Sequence, residues 1–341
     1  MRLNPMNTKI LIRKLLVPAT VAMAGAVNPL GAQVTPPTPP APVIRAPRPP
    51  RPPRPPQAWF GSGDGVTRID TILPFSANGS VDVSLIAGAM KITTWNQNQV
   101  KVVASTTGDP SLQFDVSGSH LSLEQSGRRN GNRNVGTATY DIVVPAGTRA
   151  TLSAVSGSVD ASGLKGSVEI NVVSGRVDVR DLGSSLSVEG VSGDIVANHV
   201  ASDVRVQNVS GRLTVTSVGG TLNAETVSGG VTARGVGGDR VHITTVSGTI
   251  DFTGAPTRSA RYDFETHSGR TDIRLASNAS ALVGVETFSG SVTNDYPGAV
   301  RRRNSDPDDD RTNYEYIIGH GDARVRAQTF SGSVHITQGN P

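Results

Sequence analysis

The sequence of 341 residues has no cysteine. That excludes a disulfide framework, a thiolate zinc site, an iron–sulfur cluster, a cysteine nucleophile and a lipid-modified cysteine anchor. Rings are nearly as scarce, with two Trp, five Tyr and seven Phe, so small branched residues must fill any core. Acidic residues are missing from 1–56, which carry eight basic ones. Taking those eight from the net charge of +4 leaves 57–341 at −4. A mildly acidic body has no basic stripe to track phosphates, so no nucleic-acid partner is expected.

What the N-terminus does have is an export pattern. Arg2, Lys9, Arg13 and Lys14 form a basic start, Leu15 to Leu30 an apolar, Ala-rich stretch broken by Pro18, and Leu30-Gly31-Ala32 a small-residue cleavage site before Gln33. Residues 1–32 therefore read as a signal peptide. After cleavage no transmembrane span is expected, and the chain is placed in the periplasm, on the cell surface or in the medium. Residues 33–57 read as an extended Pro/Arg-rich linker, since 35–56 hold twelve of the 22 prolines. Such a run fixes φ, lacks donors and favours a polyproline II spacer. Its Arg45, Arg48, Arg51 and Arg54 could contact an anionic envelope polymer.

The third domain, 58–341, is organised by a repeat. Val-Ser-Gly recurs at 155–157, 173–175, 191–193, 209–211 and 227–229, each 18 residues after the last, then at 246–248. His267-Ser268-Gly269, Phe288-Ser289-Gly290 and Phe330-Ser331-Gly332 continue it at wider intervals. Within each unit a shorter pattern appears: from Val155, apolar residues stand at Val159, Ala161, Leu164, Val168, Ile170 and Val173, in steps of 4, 2, 3, 4, 2, 3. The step of 2 is strand alternation, and the step of 4 spans a Ser-Gly bend where Gly supplies positive φ. Stacking the units in parallel would put like on like in inward columns, Val155 and Val173 included. The fold expected is all-β, a parallel β-solenoid or β-helix with ~18-residue coils built from paired nonapeptides. Regular coils run over 155–250 with irregular flanks, an exposed loop interrupts at 295–313, and Ala323 to Thr337 closes the open end.

Chemistry is harder to find. A calcium roll needs Gly-Gly-x-Gly-x-Asp, whereas the position three after the bend glycine reads Asp160, Asp178, Val196, Thr214, Thr232 and Asp251. Asp306, Asp308 and Asp310 have calcium-loop spacing, but Arg311 stands where such a loop needs Gly. His120, His199, His242, His267, His320 and His335 show no metal-ligand spacing and read as surface residues. The nearest approach to a catalytic cluster is Asp178, Arg180 and Asp181 beside Arg205. No catalytic, cofactor-binding or metal residue is assigned, and no cofactor is expected.

Thr93-Thr94-Trp95-Asn96 to Val100-Lys101-Val102, the Tyr140-to-Pro145 strand ending, the Val-Ser-Gly array and Thr329 to Val334 together resemble the bacterial DUF4097 family, whose members carry the label "putative adhesin". The resemblance covers about 66–338 and implies a β-solenoid in the cell envelope, with no catalytic residues to carry over. The function expected is that of an exported non-catalytic scaffold or adhesin-like interaction protein with glycan or protein partners in the envelope. The alternatives are a glycan-active β-helix enzyme of the polysaccharide lyase or hydrolase kind, and an envelope-stress sensor or regulatory partner.

Overall fold

The computed structural model describes residues 61–63, 66–107, 111–126, 136–303 and 312–339. The expected signal peptide, the Pro/Arg-rich linker and Asp306, Asp308 and Asp310 of the 295–313 loop lie outside them. The described residues fall in one compact unit, Pro55–Pro341.

Among the described residues every regular element is a strand. In chain order these begin with β1 (Gly61–Gly63), β2 (Val66–Pro74), β3 (Ser80–Trp95), β4 (Gln99–Thr107), β5 (Ser111–Ser117), β6 (His120–Ser126) and β7 (Ala138–Pro145). The repeats follow as β8 (Arg149–Ser162), β9 (Val168–Leu182), β10 (Leu186–Ser192), β11 (Ile195–Val200), β12 (Val204–Ser210), β13 (Leu213–Val218), β14 (Leu222–Ser228), β15 (Val231–Val236) and β16 (Arg240–Gly254). The chain closes with β17 (Arg261–Ala276), β18 (Ala281–Asn294), β19 (Val300–Arg303), β20 (Thr312–Ile318) and β21 (Ala323–Gly339).

The pairing is mostly parallel and follows the 18-residue period. Leu186 faces Val168 on one side and Val204 on the other, while Ile195 faces Val177 and Leu213. Each repeat thus contributes a first and a second strand, and each stacks on its counterpart in the next repeat. The like-on-like columns follow from this register. Val159, Leu164, Ile170, Val177, Val188, Val206 and Val215 are all buried, each side chain contributing about 1.5–3 kcal/mol relative to exposure. Rings enter the fully buried core at few places, chiefly Tyr140, Phe252, Tyr262 and Phe264. The last three pack together, with Phe252 5.2 Å from Tyr262 and 5.0 Å from Phe264 between centroids, where the interval between layers widens: Val241 faces Tyr262.

The Ser-Gly bend is tighter than positive φ alone would require. Gly175, Gly193, Gly211 and Gly229 have φ of 142°, 136°, 120° and 151°. Each also abuts the glycine one layer before it: a Cβ on Gly193 would lie 1.7 Å from the carbonyl oxygen of Gly175. Two independent constraints therefore fix glycine in this column.

Two expectations are corrected. Val155, Val173, Val191, Val209, Val227 and Val246 do not join the inward columns but stand outward, 47–50% exposed. The first strand of each repeat stays extended to its bend. Val168, Ile170 and Val172 face in, so by alternation Val173 faces out. The second strand escapes this because Asp181, His199 and Ser217, one per repeat, adopt left-handed φ of 55–57°. That shifts the side-chain parity by one residue and turns Leu182, Val200 and Val218 inward.

The second correction concerns the ends. β21 does not close the stack but lies inside it, parallel to β17 on one side and to β18 on the other. The outer layer is β18, whose first half is covered by antiparallel β20 and then β19. At the opposite end β3 sits between β8 and the pair β6 and β7. Antiparallel β5 covers β6, and β4, β2 and β1 follow outward from β7. Antiparallel caps occupy edges that a bare parallel stack would leave open to further pairing.

Candidate interaction face

The outward valines form one column. Each precedes one of the paired serines of successive layers, Ser156, Ser174, Ser192, Ser210, Ser228 and Ser247. In the wider layers the position is taken by His267, Phe330 and Phe288. Their rings stack face to face, His267 on Phe330 at 4.9 Å and 7°, Phe330 on Phe288 at 4.9 Å and 5°. Phe288 and Phe330 are 52% and 49% exposed. The result is a continuous exposed apolar stripe at strand spacing, unusual for a surface because contiguous apolar patches of this kind mark interaction sites. Beside its first part runs a groove of about 660 Å³ that Ile86, Val155, Val173 and Val191 line together with Glu189 and Gln125.

Beneath the stripe the inward column changes character along the stack. It reads Leu85, Ala154 and Val172 at one end, then Gly190, and then Asn208, Thr226, Thr245, Thr266, Thr329 and Thr287. Asn208 donates from Nδ2 to the carbonyls of Gly193 and Ser210, tying the bend to the layer before it.

A second, polar groove of about 740 Å³ opens at the other end of the first strands, lined by Arg149, Thr151, Glu169, Ser187, Asp203 and Arg205 among others. Asp203 accepts from both the backbone N–H and the hydroxyl of Thr221, at 2.8 Å each. Those two bonds hold its carboxyl below the usual carboxylate range. An acid so stabilised as its anion is a poor proton donor near neutral pH.

The sequence-level cluster does not assemble. Asp178 pairs with Arg180 at 2.6 Å and with Arg176 at 3.6 Å. Asp181 instead faces His199 at 3.7 Å. Arg205 lies on β12, which pairs with β10 and β14 and not with the second-strand ladder. The column Asp160, Asp178, Val196, Thr214, Thr232 and Asp251 is in register, but Val196 and the threonines separate its acids, and Arg234 and Arg274 flank Asp251. His335 contacts Asp295 at 2.9 Å and Asp272 at 3.8 Å, and His242 contacts the Thr244 hydroxyl at 3.1 Å. Among the described residues no group of three or more His, Asp or Glu is close enough to hold a metal ion.

Comparison with known proteins places the chain. The Toastrack DUF4097 family profile matches residues 91–337, well over half of the sequence. The chain belongs to the Toastrack family. The match takes in the Val-Ser-Gly array and all the described residues that form the stripe. Among solved structures, a "putative adhesin" from Bacteroides fragilis is 11% identical, covering 79% of this chain and 96% of its own, with a TM-score of 0.35. A "putative cell adhesion protein" from Clostridium sporogenes is also 11% identical, covering 80% of this chain and all of its own, with a TM-score of 0.22. No curated protein matches the sequence. Among the described residues of this Toastrack chain no helix is long and apolar enough to cross a membrane.

The stripe was missed at the level of sequence, although a signal for it exists. Counting alternation from Val168 assigns Val173 to the outside, provided the strand runs unbroken into the Ser-Gly bend. No such count locates the stacked rings, because their order depends on β21 lying between β17 and β18.

Proposed function

We propose that this Toastrack protein is an exported, non-catalytic β-solenoid that serves the cell envelope as a scaffold or adhesin-like interaction protein, with the Val–His–Phe stripe as its contact face. The observation that carries the reading is the stripe itself. Apolar side chains half exposed in register over successive layers lower solubility and invite aggregation unless a partner covers them. A long flat array of this kind suits an extended partner bound by many small contacts more than a substrate held in a pocket. The solenoid description rests on the 18-residue parallel register of both strands in each repeat. Export rests on the basic and apolar N-terminal pattern of residues 1–32.

The full chain should co-sediment with isolated bacterial envelopes in moderate salt. Replacing Val191, Val209 and Val227 by Lys should lower the bound fraction about tenfold, a loss of roughly 1.4 kcal/mol, with the thermal midpoint little changed because these side chains contribute little to the core. Equal binding by the variant would remove the stripe from the proposal. Release of soluble sugars from envelope polysaccharides would instead favour the enzymatic alternative and direct attention to the polar groove at Arg149 and Glu169.

A further inference from the structure

Next to the stripe, two residues earlier on each first strand and on the same outward side, runs a second column whose charge alternates. Successive layers present Glu189, Gln207, Glu225, Thr244, Glu265, Gln328 and Glu286. A carboxylate therefore recurs at every second layer. Parallel layers are spaced by about 4.8 Å, so the carboxylates stand about 9.6 Å apart. Glu189 and Glu265 are exposed. Glu225 accepts from Gln207 at 3.0 Å and Asn223 at 3.2 Å, and Glu286 from Arg326 at 2.8 Å and Gln328 at 2.7 Å. These neighbours hold Glu225 and Glu286 in place, Glu286 already in an ion pair with Arg326, and an ionised carboxylate has room for several donors.

The sequence contains a cationic run of matching period. Arg45, Arg48, Arg51 and Arg54 recur every third residue, and the run from Arg48 separates them by Pro-Pro. Polyproline II has three residues per turn and a rise of about 3.1 Å, so a sequence of this kind puts every Arg on one side at intervals of about 9.3 Å. Three such intervals span about 28 Å, against about 29 Å for the matching carboxylates. The difference of about 1 Å is well within the reach of flexible Arg side chains. In a polyproline II conformation the sequence would set Ala46 and prolines on the other two sides, and a row of proline rings beside the carboxylates would meet the Val191–Val209–Val227–Val246 column and the stacked rings beyond it. Proline-rich helices dock on apolar and aromatic surfaces in this manner because little chain entropy is left to lose.

We propose that this face, the carboxylate ladder together with the apolar stripe beside it, is the docking surface for the arginine–proline run of a second copy of this chain. Two properties favour this occupant: the opposite charge and the shared repeat of about 9.5 Å. An anionic envelope polymer would be repelled by the carboxylates, and a peptide with cations at another spacing would pair at one position and lose register at the next.

The test uses the full chain with Arg45, Arg48, Arg51 and Arg54 changed to Gln, which leaves the ladder intact, and a fluorescent peptide of residues 43–56. The peptide should bind at low salt, and binding should weaken at least tenfold when Glu189, Glu225 and Glu265 are also changed to Gln. A peptide of the same composition with Arg at every fourth position should bind at least fivefold more weakly. Equal affinity for the two peptides, or for the two ladder forms, would overturn the register match. For the second copy the readout is sedimentation velocity at low salt. The unaltered chain should self-associate, the four-Arg variant and the three-Glu variant should each be monomeric, and an equimolar mixture of the two should associate again. A mixture that stays monomeric would rule out the second copy as occupant. The proposal rests on the reading of the stripe as a contact face, and the two fail separately: loss of envelope co-sedimentation with self-association retained would overturn the envelope partner alone, and the reverse would overturn the second copy alone.

Discussion

The two strands of one repeat begin alike and end differently. Both open with an in-out-in pattern, buried at Leu186 and Val188 in the first and at Ile195 and Ala197 in the second. Their third apolar residues then part company: Val191 is 49% exposed while Val200 is 1% exposed. Hydrophobicity does not explain this, since both are valines. The cause is one backbone torsion. His199 at φ 55° shifts parity by a residue, whereas the first strand stays extended until a glycine that must also fit beneath the carbonyl of the layer before. A short pattern repeated twice in sequence thus gives one buried column and one exposed stripe.

Substitutions can test that contrast. The largest effect is expected at the first bend: Gly193→Ala places a Cβ 1.7 Å from the Gly175 carbonyl oxygen at φ 136° and should cost about 4 kcal/mol or more in a denaturant titration. Gly284→Ala, where nothing lies within 4 Å, should leave stability within about 0.5 kcal/mol. Next comes the third apolar position. Leu182→Ala should cost about 2–5 kcal/mol, and Val173→Ala, its counterpart on the first strand, no more than about 0.5 kcal/mol. A comparable loss at both would mean that the stripe is buried in the free protein. At the second bend the sign should reverse: His199→Gly relieves a left-handed torsion and should range from neutral to a gain of about 1 kcal/mol, where Gly elsewhere in a strand costs about 0.5–1 kcal/mol.

The smallest effect concerns pH. Asp203 has its carboxyl held low by the Thr221 N–H and hydroxyl. A carboxyl with a lowered folded pKa stabilises the fold above the ordinary aspartate value near 4, and that contribution fades as pH falls through the folded value. Chemical denaturation between pH 7 and pH 3 should show a shallower loss of stability in Asp203→Asn than in the unaltered chain.

Much of the fold was legible because the repeat is a translation. Like residues 18 apart face one another in parallel, as at Leu186 and Val204, and the step of two at Val177 and Val179 marks an inward pair. The ends were less legible. Ala323 to Thr337 reads as a closing strand, yet β21 is interior, because a strand of the right pattern fits any gap in the stack and sequence order does not say which. The candidate face shows the same division. Its alternation of carboxylate and amide can be read from the repeat at Glu189, Gln207 and Glu225, but it continues through Glu265, Gln328 and Glu286 only once β21 is placed between its neighbours.

The sequence by itself determined the all-β class, the 18-residue parallel register, the glycine bends and the inward Val, Leu and Ile columns, since these follow from period, alternation and the missing Cβ of glycine. Only the tertiary structure decided which apolar residues stay outside and in what order the last layers stack. Both depend on contacts between layers: a left-handed residue sets the parity of Leu182 and Val200, and the insertion of β21 brings His267, Phe330 and Phe288 into one stack of rings.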